Sequence, residues 1–243
     1  MTQGPRPTRP PSLPTRLASS LRDAPTSTCP RERLLTAGPA TLSDAELLGL
    51  FLSGTHGDAD RRVDRLGAAL MVAGGLAGLR NQGLSSLRGW GLEPDVSATL
   101  LAGFELARRL ALAEVPDRHP MKRPEAVAEY LRLSFGGRDQ EILGALFLNS
   151  RDGLLACREI YRGVLGHASV EPRGVLKEGI LLGAATFVLF HTHPSGNPEP
   201  SVEDRLFTRR LADAGDVVGI RLVDHLVIGA RGRWVSLARI GGW

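Results

Sequence analysis

Phe190-His191-Thr192-His193-Pro194-Ser195-Gly196-Asn197-Pro198-Glu199-Pro200-Ser201-Val202-Glu203-Asp204 closes the longest apolar run of the chain, Ile180 to Phe190, and leads into a helix. Side chains two apart on a strand point the same way, so His191 and His193, leaving the end of a buried strand, offer two imidazoles to one point. The Pro- and Gly-rich loop after them reverses the chain, and Ser201 opens a helix whose first turn brings Asp204 back toward the histidines. Two His and one carboxylate leave a fourth tetrahedral position for water, the pattern of a catalytic zinc site rather than a closed structural one. Each part alone has a plainer explanation. Ser201-x-x-Asp204 is a helix-capping pattern, and a histidine beside a strand is more often a hydrogen-bonded core or surface residue than a ligand. The combination favours the metal.

The periods on either side predict a mixed sheet flanked by helices, an α+β fold. Downstream lie a helix over Val202–Ala214 stopped by Gly215, and strands Ile220–Ile228 and Arg233–Leu237 forming a hairpin around Ala230-Arg231-Gly232. Upstream come a helix over Pro172–Leu182, strands Ile142–Asn149 and Leu154–Ile160 around the turn Ser150-Arg151-Asp152-Gly153, and a helix from Pro124 to Phe135 ended by Gly136-Gly137. Residues 115–124 hold three prolines and read as a linker. Before it, residues 29–114 form a small all-α domain. Ser43 and Glu46 make a capping box for a helix that Gly54 can end, Arg61–Ala73 is stopped by Gly74-Gly75, and a third helix runs from Pro94 to about Glu114. Residues 1–28, with Pro5, Pro7, Pro10, Pro11, Pro14 and Pro25 among small polar residues, predict a disordered tail. The sheet domain occupies 125–243.

Length and composition set the class. The 243 residues, 42% hydrophobic and 23% charged, suit two globular domains. No apolar run approaches the ~18 residues of a membrane span, and the N-terminus does not read as a secretory signal. Cys29 and Cys157 form no C-x-x-C pair, which predicts a reducing cytoplasm and no thiolate zinc site. The formal charge is +4, but residues 1–28 carry +3 of it, leaving 26 basic and 25 acidic side chains elsewhere. A nearly neutral folded part gives no broad electrostatic footprint for nucleic acid.

H-x-H, a seven-residue gap, Ser, two residues and Asp is the full JAMM signature. More narrowly, His191 to Ser201, followed by Arg209-Arg210-Leu211 and Gly219-Ile220-Arg221-Leu222-Val223-Asp224-His225, resembles the RadC family. The resemblance covers about residues 29–243 and includes Pro30-Arg31-Glu32-Arg33-Leu34-Leu35, Leu42-Ser43-Asp44-Ala45-Glu46-Leu47-Leu48 and Phe104-Glu105-Leu106-Ala107-Arg108-Arg109. It implies a cytidine-deaminase-like JAMM sheet and a zinc ion held by His191, His193 and Asp204. It also implies hydrolysis of a peptide or isopeptide bond in a protein or peptide substrate. The matching general base is Glu141, with Glu159, Glu171 and Glu178 as rivals, and Ser201 donates to the developing oxyanion or holds the water. Asp224-His225 reads as a polar structural pair or as support for the ligands.

Two departures stand out. Where the family has His-Pro-Arg-Glu, this chain has Glu171-Pro172-Arg173-Gly174. Arg88 to Ala98 resembles the family's helix-hairpin-helix element, which presents backbone amides to a DNA phosphate, but Glu93 stands at the second glycine position and Val96 at a usual lysine. An anion there meets a carboxylate and loses a cation, which weighs against DNA binding through this hairpin. The rival functions are a DNA-associated repair or recombination accessory and a zinc-dependent nuclease.

Overall fold

The computed structural model describes residues 30–52, 59–163 and 171–243. The expected tail, Cys29 and the helix stop at Gly54 lie outside the described residues. Six helices come first: α1 Pro30–Ala37, α2 Asp44–Phe51, α3 Ala59–Ala73, α4 Leu76–Arg80, α5 Leu84–Gly89 and α6 Pro94–Ala113. Then follow α7 Pro124–Phe135, β1 Glu141–Leu148, β2 Leu154–Gly163, α8 Pro172–Leu181, β3 Thr186–Thr192, α9 Val202–Val218, β4 Arg221–Ile228 and β5 Trp234–Ser236. The architecture is α+β, with α1–α6 ahead of the sheet and α7, α8 and α9 packed on it. No helix among the described residues is long and apolar enough to cross a membrane.

Helical packing converges on Leu52, Leu66, Leu79, Leu87 and Leu100. Ser43 caps α2 with the predicted box. The short α4 and α5 have no counterpart in the sequence pattern, because five or six residues hold too little of a 3.6-residue period to register. α6 joins two cores: Val96 and Leu100 belong to the helical cluster, whereas Ala111 packs with Val127 and Leu131 of α7. The proline-rich stretch between α6 and α7 is held to the β1–β2 turn. Leu154 N donates to Asp117 O at 3.1 Å and His119 N to Asp152 O at 2.8 Å. Arg80 and Asn81, at the end of α4, donate to the main-chain oxygens of Arg132 in the last turn of α7 and of Gly136 and Gly137 just beyond it.

The sheet runs β2-β1-β3-β4-β5. β1 is antiparallel to β2 and β3, β3 is parallel to β4 through the α9 crossover, and β5 returns antiparallel. Alternation along β3 divides the core. Phe187 and Leu189 face α8 and α9 with Leu143, Ala145 and Phe147, while Val188 and Phe190 face α7 with Ile142 and Leu146. Each fully buried Phe or Leu contributes about 1.5–3 kcal/mol over exposure. α9 passes through Gly215, the predicted stop, and ends at Gly219, whose φ of 77° closes the helix left-handed. Gly215 is there for contact instead: a Cβ would meet Ile220 O at 2.5 Å.

Candidate metal centre

Leu143 of β1 lies opposite His191 of β3, so two-residue alternation puts Glu141, His191 and His193 on the α9 face. Ile142 N donates to Thr192 Oγ1 at 3.0 Å, which fastens the start of β1 beside the two histidines. His193 follows the strand end, and its N donates to Ile228 O at 3.0 Å. From the other side, the first turn of α9 brings Asp204 over them. His191 Nε2 lies 3.4 Å from Asp204 Oδ1, His193 Nε2 3.7 Å from Asp204 Oδ2, and the two Nε2 atoms are 2.8 Å apart. Tetrahedral zinc with bonds of about 2.0–2.1 Å separates its ligands by roughly 3.3 Å, so the three donors are spaced to hold such an ion with little rearrangement.

Hydrogen-bond accounting fixes which way the imidazoles present themselves. Thr208 Oγ1 lies 2.5 Å from Asp204 O, a pure acceptor, so its hydroxyl proton points there. His225 Nδ1, 2.6 Å from the same Oγ1, must then be the donor. That leaves His225 Nε2 with a lone pair, which accepts from His191 Nδ1 at 2.7 Å. His191 Nε2 is therefore unprotonated in the neutral ring. His193 reaches the same state by donating from Nδ1 to Asn197 O at 2.7 Å. Two lone pairs and a carboxylate thus converge where only a cation, a proton or a metal ion, relieves their repulsion. His193 sits above its ordinary pKa, chiefly through its hydrogen bond to Asp204, with the Glu141 charge adding to the effect. His225 is pushed well below its own by complete burial, then by His191, and stays neutral.

Asp204 serves two structures at once. Its Oδ2 accepts from Ser201 N at 2.8 Å and Ser201 Oγ at 2.6 Å, and its own N donates back to Ser201 Oγ at 3.0 Å, completing a capping box. Oδ1 is left for His191. Burial alone raises this carboxyl, but hydrogen bonds to His191, His193 and Ser201 hold it well below the usual carboxylate range. The serine hydroxyl is committed to Asp204 here.

Residues 121–242 match the family model described as RadC-like JAB domain, and residues 21–94 match the one described as UPF0758 N-terminal. Two proteins named UPF0758, from Polaromonas sp. (strain JS666) and Stenotrophomonas maltophilia (strain K279a), are each 42% identical over 223 residues. Those alignments cover 91% of this chain and 98% and 94% of the relatives. A UPF0758 protein from Leptothrix cholodnii is 40% identical over 225 residues, covering 91% of this chain and 99% of that protein. The chain belongs to the RadC family. Its RadC-like JAB segment, residues 121–242, contains Glu141, His191, His193, Ser201, Asp204, Thr208 and His225.

Within this RadC-like segment two of the rival carboxylates are engaged with arginines. Glu159 pairs with Arg162 at 2.7 Å and Glu171 with Arg173 at 2.7 Å, whereas the Glu141 charge acts on His193. Glu178 lies in α8. The Asp224-His225 pair divides between the two faces of the sheet. Asp224 accepts from Ser236 Oγ at 2.7 Å and Ala238 N at 3.0 Å, which anchors the C-terminal hairpin, while His225 reaches His191. Thr208 did not stand out in the sequence, although it lies one helical turn after Asp204 on the same face. Burial pushes the Cys157 thiol up to about 12, so it stays protonated and is no nucleophile at neutral pH. In the helical part, α5 and α6 form a hairpin through Gly91, with Glu93 at the start of α6 and 3.3 Å from Arg65.

Proposed function

We propose that this RadC-family chain is a zinc-dependent hydrolase acting on a peptide or isopeptide bond, with His191, His193 and Asp204 as ligands and Glu141 as general base. The observation that carries it is the convergence of two imidazole nitrogens and one carboxylate, and three such ligands leave a fourth tetrahedral position for water. Zinc at such a three-ligand site brings a water pKa down to about 7 and polarises a carbonyl. Glu141, on the same sheet face, accepts the proton of the attacking water and returns it to the leaving amine. Ser201 donates to the developing oxyanion once its hydroxyl turns from Asp204. His191, His193 and Asp204 form the one such three-donor group among the described residues, which supports a single-metal hydrolase over a two-metal nuclease.

The test is turnover by the zinc-loaded full chain on fluorogenic peptide and isopeptide panels, with Glu141→Gln beside it. We expect cleavage by the wild type and a loss of about 10²–10⁴-fold in Glu141→Gln at unchanged zinc content. Equal turnover by both removes Glu141 from its role.

A further inference from the structure

A cavity of about 300 Å³ opens beside His193, between α4 and the loop after β3. Arg80, Arg132, Arg138 and Arg231 line it against one carboxylate, Asp139. A neighbouring space of about 590 Å³ shares Gly137, Arg138 and Asp139 with it and adds Arg162. The acids close to these arginines leave a surplus of positive charge. Glu129 engages Arg132, and Glu159 engages Arg162 at 2.7 Å but approaches Arg138 only to 3.8 Å. Arg80 spends its donors on two main-chain oxygens, which carry no net charge. Five arginines therefore face three carboxylates, Asp139 included. Burial, then Arg132 and Arg138, lower the Arg80 guanidinium to about 10 against the opposing charge of Glu129.

We infer that this cleft is a substrate subsite for an acidic stretch of polypeptide, whose carboxylates meet Arg138 and Arg231 while the chain runs on toward His193. The inference rests on the hydrolase reading for the fate of the bound chain, but not for the binding itself. Paired N–H donors of arginine match carboxylate geometry, and walls of Gly74, Ala77, Gly137 and Ala230 let a main chain approach closely. The chain's own N-terminal segment is the wrong occupant, since residues 1–28 are basic. Single-stranded nucleic acid binds through aromatic platforms, and among the described residues no Phe, Tyr or Trp lines either space.

The test is fluorescence anisotropy on the full chain with a short labelled peptide alternating Glu and Gly, and its Gln/Gly counterpart, with and without chelator. We expect the Glu peptide to bind about 10-fold tighter, as one or two charge-assisted hydrogen bonds provide. The preference should persist in chelator and survive Arg151→Gln, a charge loss on the distant β1–β2 turn. It should fall to near parity in Arg138→Gln/Arg231→Gln with unchanged melting. Equal binding of both peptides, or a preference that survives in the double variant, overturns the inference. Displacement of the peptide by oligothymidylate binding more tightly to the same arginines overturns it in favour of nucleic acid. Failure of the hydrolase reading shows instead as absent turnover with the peptide preference intact.

Discussion

Ser43 and Ser201 open α2 and α9 with the same local device. In each, the serine hydroxyl accepts from the amide three residues on, at 3.3 Å from Glu46 N and 3.0 Å from Asp204 N. In each, one oxygen of the carboxylate accepts from the serine amide, at 2.9 Å and 2.8 Å. The difference lies in the spare oxygen. Glu46 Oε1 turns to Arg33, a part-exposed cation that already balances it. Asp204 Oδ1 turns to His191, a buried ring whose other nitrogen, Nδ1, is taken up by His225. One box is complete as a cap, and the other is complete only with a cation in front of it. The capping motif is thus the same, and what the neighbouring strand presents decides whether a metal centre results.

Substitutions in the two boxes should separate these roles. Asp204→Ala removes a ligand and a cap together, and should abolish stoichiometric zinc binding. Glu46→Ala, its counterpart, should leave zinc content untouched; parallel metal analysis of the two variants reads this directly. Thr208→Val comes next. Without the hydroxyl, His225 Nδ1 loses its acceptor, and the ring is free to protonate Nε2 and turn a proton onto the metal-facing nitrogen of His191. Zinc affinity should fall about 10–100-fold in chelator competition and recover in Thr208→Ser. The imidazole ¹⁵N shifts of the apo-protein should show the tautomer change; unaltered affinity and shifts would break the accounting. The smallest effect belongs to Ser43→Ala, which should cost about 1 kcal/mol in urea unfolding with zinc binding unchanged.

Much of the site was legible because its parts are local. The two-residue period of β3, the helix start at Ser201 and the apolar run before His191 are each set by neighbours in sequence, and the structure brings His191, His193 and Asp204 together where those signals point. What was not legible depends on distant partners. Gly215 reads as a helix stop until Ile220 O is seen against it, and the real stop is four residues on. His225 reads beside Asp224 as a structural pair or as support for the ligands without showing which, and Thr208 reads as an ordinary helical threonine. Only folding α9 over β3 and β4 links them to His191. Residues 115–124 have the composition of a linker, yet backbone bonds to the β1–β2 turn hold them. The short α4, whose Arg80 lines the cleft beside the metal centre, had no period to announce it.

The central claim is that His191, His193 and Asp204 form a metal centre and not merely a decorated helix cap. Mass-spectrometric metal analysis of the untagged full chain, with His193→Ala prepared in parallel, tests it most directly. The account predicts about one zinc per wild-type chain and none in the variant, as a site with three protein ligands requires. Absence of zinc from the wild type after reconstitution, or equal zinc in both proteins, would contradict it.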